Sequence, residues 1–422
     1  MIGLPARLAT ADLGLDAALA GVSGQRMAAT VTALAGAAFA GRRVGTPGGA
    51  AARSWLAEHL AAVGAEVRTD EFPVWSVPEV YTAPTARWHD GRTEQALVFG
   101  RQVGVPLMSA DLAKPRRGDL GVVGASGPGG RWLLVPAGMS LPDAYDQASA
   151  ATGLVVRRPV DGDGWQYTML AGPAPGPLPV LAVDPPTHTA LDAAVTAGTG
   201  WLLANTPIRR LNVTGTNVHA RLRAPAAGDV EVLLTAHYDG VGDHPGLRQP
   251  GAADNGSGVA VVLEAAHILA AALPDGIGLS VAFLDGEEVG AVGSARHAAQ
   301  FRDAGAHPFV LNVDGAGRLD GAAAVEAGGP ARALLSVLDQ AGQHTGLPLT
   351  AGPVASDNRR YATAGLAAVG IGAGMAGYHS PADTADRVDP ATLTAVARLV
   401  VATVWLVAAS GVTLSSLIGD KR

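Results

Sequence analysis

Apolar positions along the chain follow two rhythms. Residues 24–40 and 48–63 read as helices; Leu56, Leu60 and Val63 recur at helical spacing, and Thr46–Pro47–Gly48 is a start signal for the second. A short strand, AEVRTDEF, follows. From about residue 211, strand-like runs alternate with Ala- and Leu-rich helical stretches. VEVLLTA (230–236), LSVAFL (279–284), FVLNV (309–313) and LAAVGIG (366–372) are the strands, with VAVVLEAAHILAAAL and SARHAAQFRDA between them. This alternation predicts an α/β fold with a mixed, mostly parallel central sheet flanked by helices on both faces. Between 79 and 210 the texture changes. Short apolar runs (LGVV, RWLLVP, TGLVV, LPVLAV, GWLLA) are separated by Gly, Pro and Asp, which predicts a smaller β-rich inserted domain. The expected division is 1–78 with 211–422 as the main domain and 79–210 as the insertion.

Composition narrows the function classes. The chain has 422 residues, 48% hydrophobic and only 16% charged, which excludes a disordered chain. It has no Cys, so disulfides, thiolate zinc sites and Cys nucleophiles are absent. The net charge is −7 and no stretch concentrates Arg, so no nucleic-acid partner is expected. Asp12 and Asp16 break the N-terminal apolar stretch and no basic head precedes it, so no secretory leader is expected there. The expected location is cytoplasmic, with secretion left open. Leu399 to Ile418 carries no charge and is long enough to span a membrane. Thr403, Ser410, Gly411, Thr413, Ser415 and Ser416 dilute it, and it is expected to be a core helix. The pattern sets no oligomeric state.

In open α/β sheets ligands bind beyond the carboxyl ends of the strands. VEVLLTA is followed by His237–Tyr238–Asp239, LSVAFL by Asp285–Gly286–Glu287–Glu288, and FVLNV by Asp314. LAAVGIG leads through a glycine loop to Tyr378–His379–Ser380–Pro381, and Asp254 precedes Asn255–Gly256–Ser257–Gly258 and a helix. Singly, each has an ordinary explanation: a surface His, a solvated Glu pair, a turn Asp, or, for Asp254, a helix N-cap. Jointly, His237, Asp254, Glu288, Asp314 and His379 would bury several negative charges together, and a metal is the usual remedy. Two imidazoles and three carboxylates suit Zn²⁺, with Mn²⁺ or Co²⁺ as substitutes. Five donors exceed one open tetrahedral site and fit two ions sharing a carboxylate. Of the adjacent Glu287 and Glu288, one can bind metal while the other serves as general base. Asp239 is placed to accept the second ring N–H of His237.

The stretches AHYDGVG, GAADNGSGVAVVLEAA, FLDGEEVGAVGS, NVDGAG, ASDNRRYATAG and YHSPADTADRVD occur in one order, with GRRVGTPGGAAARSWLAEHLAAVGAEV upstream. In this they resemble the co-catalytic di-zinc aminopeptidases, the superfamily that also holds glutamate carboxypeptidase, transferrin receptor and glutaminyl cyclase. The resemblance covers residues 40–72 and 212–410. It implies that His237 and Asp314 bind one zinc, Glu288 and His379 the other, and that Asp254 bridges. It implies Glu287 as general base, Asp239 as the partner of His237, and Tyr378 as a group that stabilises the tetrahedral intermediate. The substrate it implies is a peptide or aminoacyl amide. GDLGVVGASGPGGRWLLVPAG with ATGLVV and LPVLAVDPP resembles a protease-associated domain. Two positions depart from the family: Asn358 stands where many relatives have His, and His267 where Arg is common.

The segment Gly372–Gly377 fits GxGxxG, but Tyr378 and His379 follow it where a dinucleotide site needs a helix. Asn212 and Asn255 fit glycosylation acceptors and carry no weight without a leader. The expected function is a zinc exopeptidase that removes N-terminal residues. The alternatives are a one-zinc aminoacyl cyclase of the glutaminyl cyclase type, a carboxypeptidase or specialised amide hydrolase on the same metals, and a non-catalytic binding protein.

Overall fold

A computed structural model describes residues 14–127 and 129–409. Most of the N-terminal stretch read above for a leader, and residues 410–418 of the apolar C-terminal run, lie outside them.

Helix α1 (Gly24–Leu34) opens on Ser23, whose hydroxyl accepts the Arg26 N–H. It stops at Leu34, short of the expected residue 40, because the next turn tightens into a 3₁₀ segment, Ala37–Arg42. Helix α2 (Pro47–Ala62) is capped by Thr46, which accepts from Gly49, and has Pro at its first position. The strand after it, β1 (Glu66–Val80), is twice the expected length because it pairs antiparallel with β2 (Ile208–Arg223) almost end to end.

Six further strands complete the main sheet: β3 (Val230–His237), β4 (Ile277–Leu284), β5 (Phe309–Val313), β6 (Ala323–Gly328), β7 (Leu349–Ala351) and β8 (Ala368–Gly372). Their order is β1-β2-β4-β3-β5-β8-β6-β7. The central strands β4, β3, β5 and β8 run parallel; β2 joins β4, and β6 joins β8, antiparallel. The sheet is therefore mixed with a parallel centre. Both faces of that centre are buried, so its strands read as continuous apolar runs.

One face carries α1, α2, α3 (Gly258–Ala272), α5 (Arg332–Thr345) and α7 (Pro390–Ala409). The other is covered by α4 (Val292–Ala304) and α6 (Asn358–Thr363), with Ala298 and Tyr361 packed on Leu233, Ala282 and Val310. Helices α3, with the turn before it, and α7 are each long and apolar enough to cross a bilayer. In this fold Val261, Leu269, Leu399, Val400 and Val404 are fully buried in the core. Each such side chain contributes roughly 1.5–3 kcal/mol on leaving water.

The chain between β1 and β2 forms a second eight-stranded sheet, from Ala86–His89 to Trp201–Thr206, with its own core around Trp132, Val155 and Leu181. Tyr81 N–H donates to the Pro207 carbonyl where this module leaves and rejoins the main sheet.

Candidate metal centre

The parallel centre of the sheet aims its carboxyl ends at one place. His237 is the last residue of β3, Asp314 follows β5, and Glu287 and Glu288 lie just beyond β4. His379 comes from the loop after β8 and has a left-handed φ of 52°. Asp254 precedes α3, but it does not cap it. Asn255 does, through Oδ1 to the Gly258 N–H, and the same oxygen accepts from Gly315. Gly258 must be glycine here: a Cβ would stand 2.2 Å from that oxygen.

The structure brings all five predicted donors together. Ligand-type atoms of His237, Asp254 and Asp314 form one cluster within 4.8 Å, and those of Asp254, Glu288 and His379 form another. Asp254 belongs to both. Its two oxygens lie 3.3 Å from His237 Nε2 and 3.1 Å from His379 Nε2, and His379 Nε2 is 2.9 Å from Glu288. All five residues are buried.

Packed this closely, the carboxylates strengthen the hold of both imidazoles on a proton. Burial alone would lower His237, but the carboxylates of Asp314, Asp239 and Asp254 outweigh it and raise the imidazole well above its usual range. Burial likewise opposes His379, and Glu288 and Asp254 raise it well above. Glu287 is pushed well up by burial and by Asp357, Asp314 and Glu288, against His237. Packed carboxylates that hold imidazoles protonated are what a divalent cation would relieve, and mixed N/O donors fit zinc. The cavity above the cluster, about 450 Å³, is lined by Glu287, Tyr378 and Met375 among others.

Other predicted residues sit close by with different contacts. Asp239 Oδ1 is 3.6 Å from His237 Nδ1, beyond hydrogen-bond range, and the Asp239 carbonyl is nearer at 3.2 Å. Its carboxylate instead accepts the backbone N–H groups of Glu287 (3.0 Å) and Glu288 (3.2 Å). Asp239 thus fixes the loop that carries both glutamates. Tyr378 stacks on His379 with ring centroids 3.7 Å apart, and its hydroxyl has no partner among the described residues. Asp285 is structural, accepting from Thr216 N–H and the Tyr238 hydroxyl. Asn358 is buried against the Glu326 carbonyl.

Sequence reasoning missed two supports. Asp383 accepts the Ala253 N–H (2.6 Å) and the Asp254 N–H (3.0 Å), holding the shared carboxylate in place. Arg42, fully buried, donates to the carbonyls of Leu34, Tyr238, Pro250 and Gly251. Both lie inside stretches that carried the resemblance, which is the only signal that marked them.

A parallel-centred sheet thus presents at its carboxyl ends a donor set that could hold metal. Residues 217–404 match the model of Peptidase family M28, a span that includes all five donors and Glu287. The whole fold resembles an aminopeptidase from Aneurinibacillus sp. strain AM-1 (TM-score 0.66, 20% identity, 92% of this chain and 94% of that one). It also resembles a zinc aminopeptidase of Bacillus subtilis (TM-score 0.70, 18% identity, 91% and 95%). A glutaminyl cyclase of Fimbriiglobus ruber shares the fold more distantly (TM-score 0.52, 15% identity, 91% and 95%). No curated protein matches the chain.

Proposed function

We propose that the protein is an exopeptidase that removes N-terminal residues from peptides with two zinc ions. His237 and Asp314 would hold one ion, Glu288 and His379 the other, and Asp254 both. When bound, the ions would polarise the scissile carbonyl and ease deprotonation of the attacking water. Glu287 takes that proton and returns it to the leaving amine; burial and the neighbouring carboxylates raise it well above the usual carboxylate range. Tyr378 offers its unpartnered hydroxyl to the carbonyl oxygen as negative charge develops there. Asp239 keeps Glu287 and Glu288 in register, so that one can bind while its neighbour stays free. The inserted module is read as a protease-associated domain that touches His379 through Thr168 and Met169.

The observation that carries this reading is the pair of clusters sharing Asp254, with Glu287 beside them. A panel of aminoacyl nitroanilides and N-blocked peptides, assayed with and without chelator, tests it. Release of free amino acid only from unblocked substrates, abolished by chelator, is expected. Cleavage confined to blocked peptides would make the protein a carboxypeptidase or amide hydrolase. One metal per chain, with cyclisation in place of hydrolysis, would make it an aminoacyl cyclase.

A further inference from the structure

The inserted module and the main domain enclose a second cavity, of about 340 Å³. It shares a wall with the metal centre. Thr168 N–H donates to the His379 carbonyl at 2.9 Å, and Met169 Sδ lies 3.4 Å from His379 Nδ1. The body of the cavity is apolar, built from Phe99, Leu107, Met108, Val156, Met169 and Leu170.

Three polar groups on its lining are unanswered. Gln166 is 3% exposed; its Nε2 donates to the carbonyls of Arg101 and Ala182, but its Oε1 accepts from nothing. His244 Nε2 is buried without a partner, and burial, with Arg43 nearby, pulls the ring down to about 4, so it is neutral at pH 7. The half-buried Arg158 guanidinium has no hydrogen-bond or ion-pair partner among the described residues. Burial lowers its pKa and no carboxylate opposes the shift. Glu79, the acid on this wall, is already held by Arg43 (2.7 Å) and Arg209 (2.5 Å). A cation withdrawn from water without an anion is unfavourable, and so is an orphaned amide oxygen.

We propose that this cavity binds a small organic acid with an apolar body. Its carboxylate pairs with Arg158, and its apolar part fills the space between Phe99 and Met169. The volume suits a small molecule, and a guanidinium holds a carboxylate through paired hydrogen bonds. The site is separate from the zinc donors, so occupancy does not require metal.

Calorimetric titration of the zinc-loaded full chain with N-acetyl-L-leucine, against N-acetyl-L-leucinamide, tests this. The acid is expected to bind and the amide not to saturate. R158Q should weaken the acid at least tenfold, R158K should weaken it less, and chelator should leave binding unchanged. Failure of the acid to bind, equal binding of acid and amide, or an undiminished R158Q would overturn the proposal. Binding lost to chelator but indifferent to R158Q would put the probe at the zinc site and also overturn it. The acid–amide comparison needs no variant, so the test survives if R158Q does not fold.

Discussion

At the scale of single residues, the site separates groups that would touch metal from groups that aim them. Glu287 makes no side-chain hydrogen bond to the described residues and faces the cavity. E287Q keeps the shape and removes the proton acceptor, so kcat should fall by about 10²–10⁴ while zinc content stays at the parent level. Activity assay with elemental analysis checks this; an active variant would remove Glu287 from the chemistry. The convergence of the five candidate donors was legible in the sequence because His and carboxylates at strand ends are residue types with few other uses in such numbers. The contacts of Asp239 and Asp383 were not, because both act on backbone N–H groups, and a backbone group leaves no mark in the residue code. The expected Asp239–His237 pairing arose from a two-residue spacing along an extended segment. The chain turns after His237, and that carries the carboxylate toward the glutamate loop.

At the scale of elements, the strands at the sheet centre were read to within about two residues, because burial on both faces gives them uninterrupted apolar runs. The length of β1 was not legible, since its partner β2 lies far away in sequence and half its residues face water. Helix α1 was overextended because Ala-rich sequence continues past the point where packing turns the chain. That turn exists to deliver Arg42, which ties the end of α1, the residue after β3 and the loop before Asp254 through four carbonyls. R42M would leave these carbonyls buried and unpaired, at about 1–3 kcal/mol each where water cannot reach. It should lower the free energy of unfolding by more than about 3 kcal/mol in urea titrations, and weaken zinc retention as the Asp254 loop loosens. A change below 1 kcal/mol would show that water replaces the guanidinium.

At the scale of the molecule, the metal centre and the core contribute to one stability. If the proposed zinc site is occupied, zinc would bind the folded chain far better than the unfolded one, so chelation should lower Tm. Free zinc at about a thousand times its Kd is worth about 4 kcal/mol, which calorimetry with and without chelator measures; no shift would mean the cluster folds without metal. A second dependence is on pH. His219 is 5% exposed, and burial, with Arg68 nearby, pulls it down to about 4 from 6.5. The unfolded chain therefore binds the extra proton first, so stability is full above about 6.5 and declines as pH falls toward 4. The loss reaches about 3 kcal/mol at 1.36 kcal/mol per pKa unit. H219F should flatten that part of the curve, and an unchanged slope would assign it elsewhere. The pairing of Val80 with Ile208 gives the inserted module one narrow covalent attachment, beside contacts such as Gln249 with Thr168 and Arg387 with Asp163. In effect the module is the overgrown turn of a single hairpin. Residues 81–207 could be exchanged for a two-residue turn without disturbing the register of β1 and β2. Such a shortened chain would keep its five clustered candidate donors yet lose the Thr168 and Met169 contacts to His379. A scaffold of this kind can adopt, trade or discard such an insertion as a cassette, and only the firmness of His379 would record the difference.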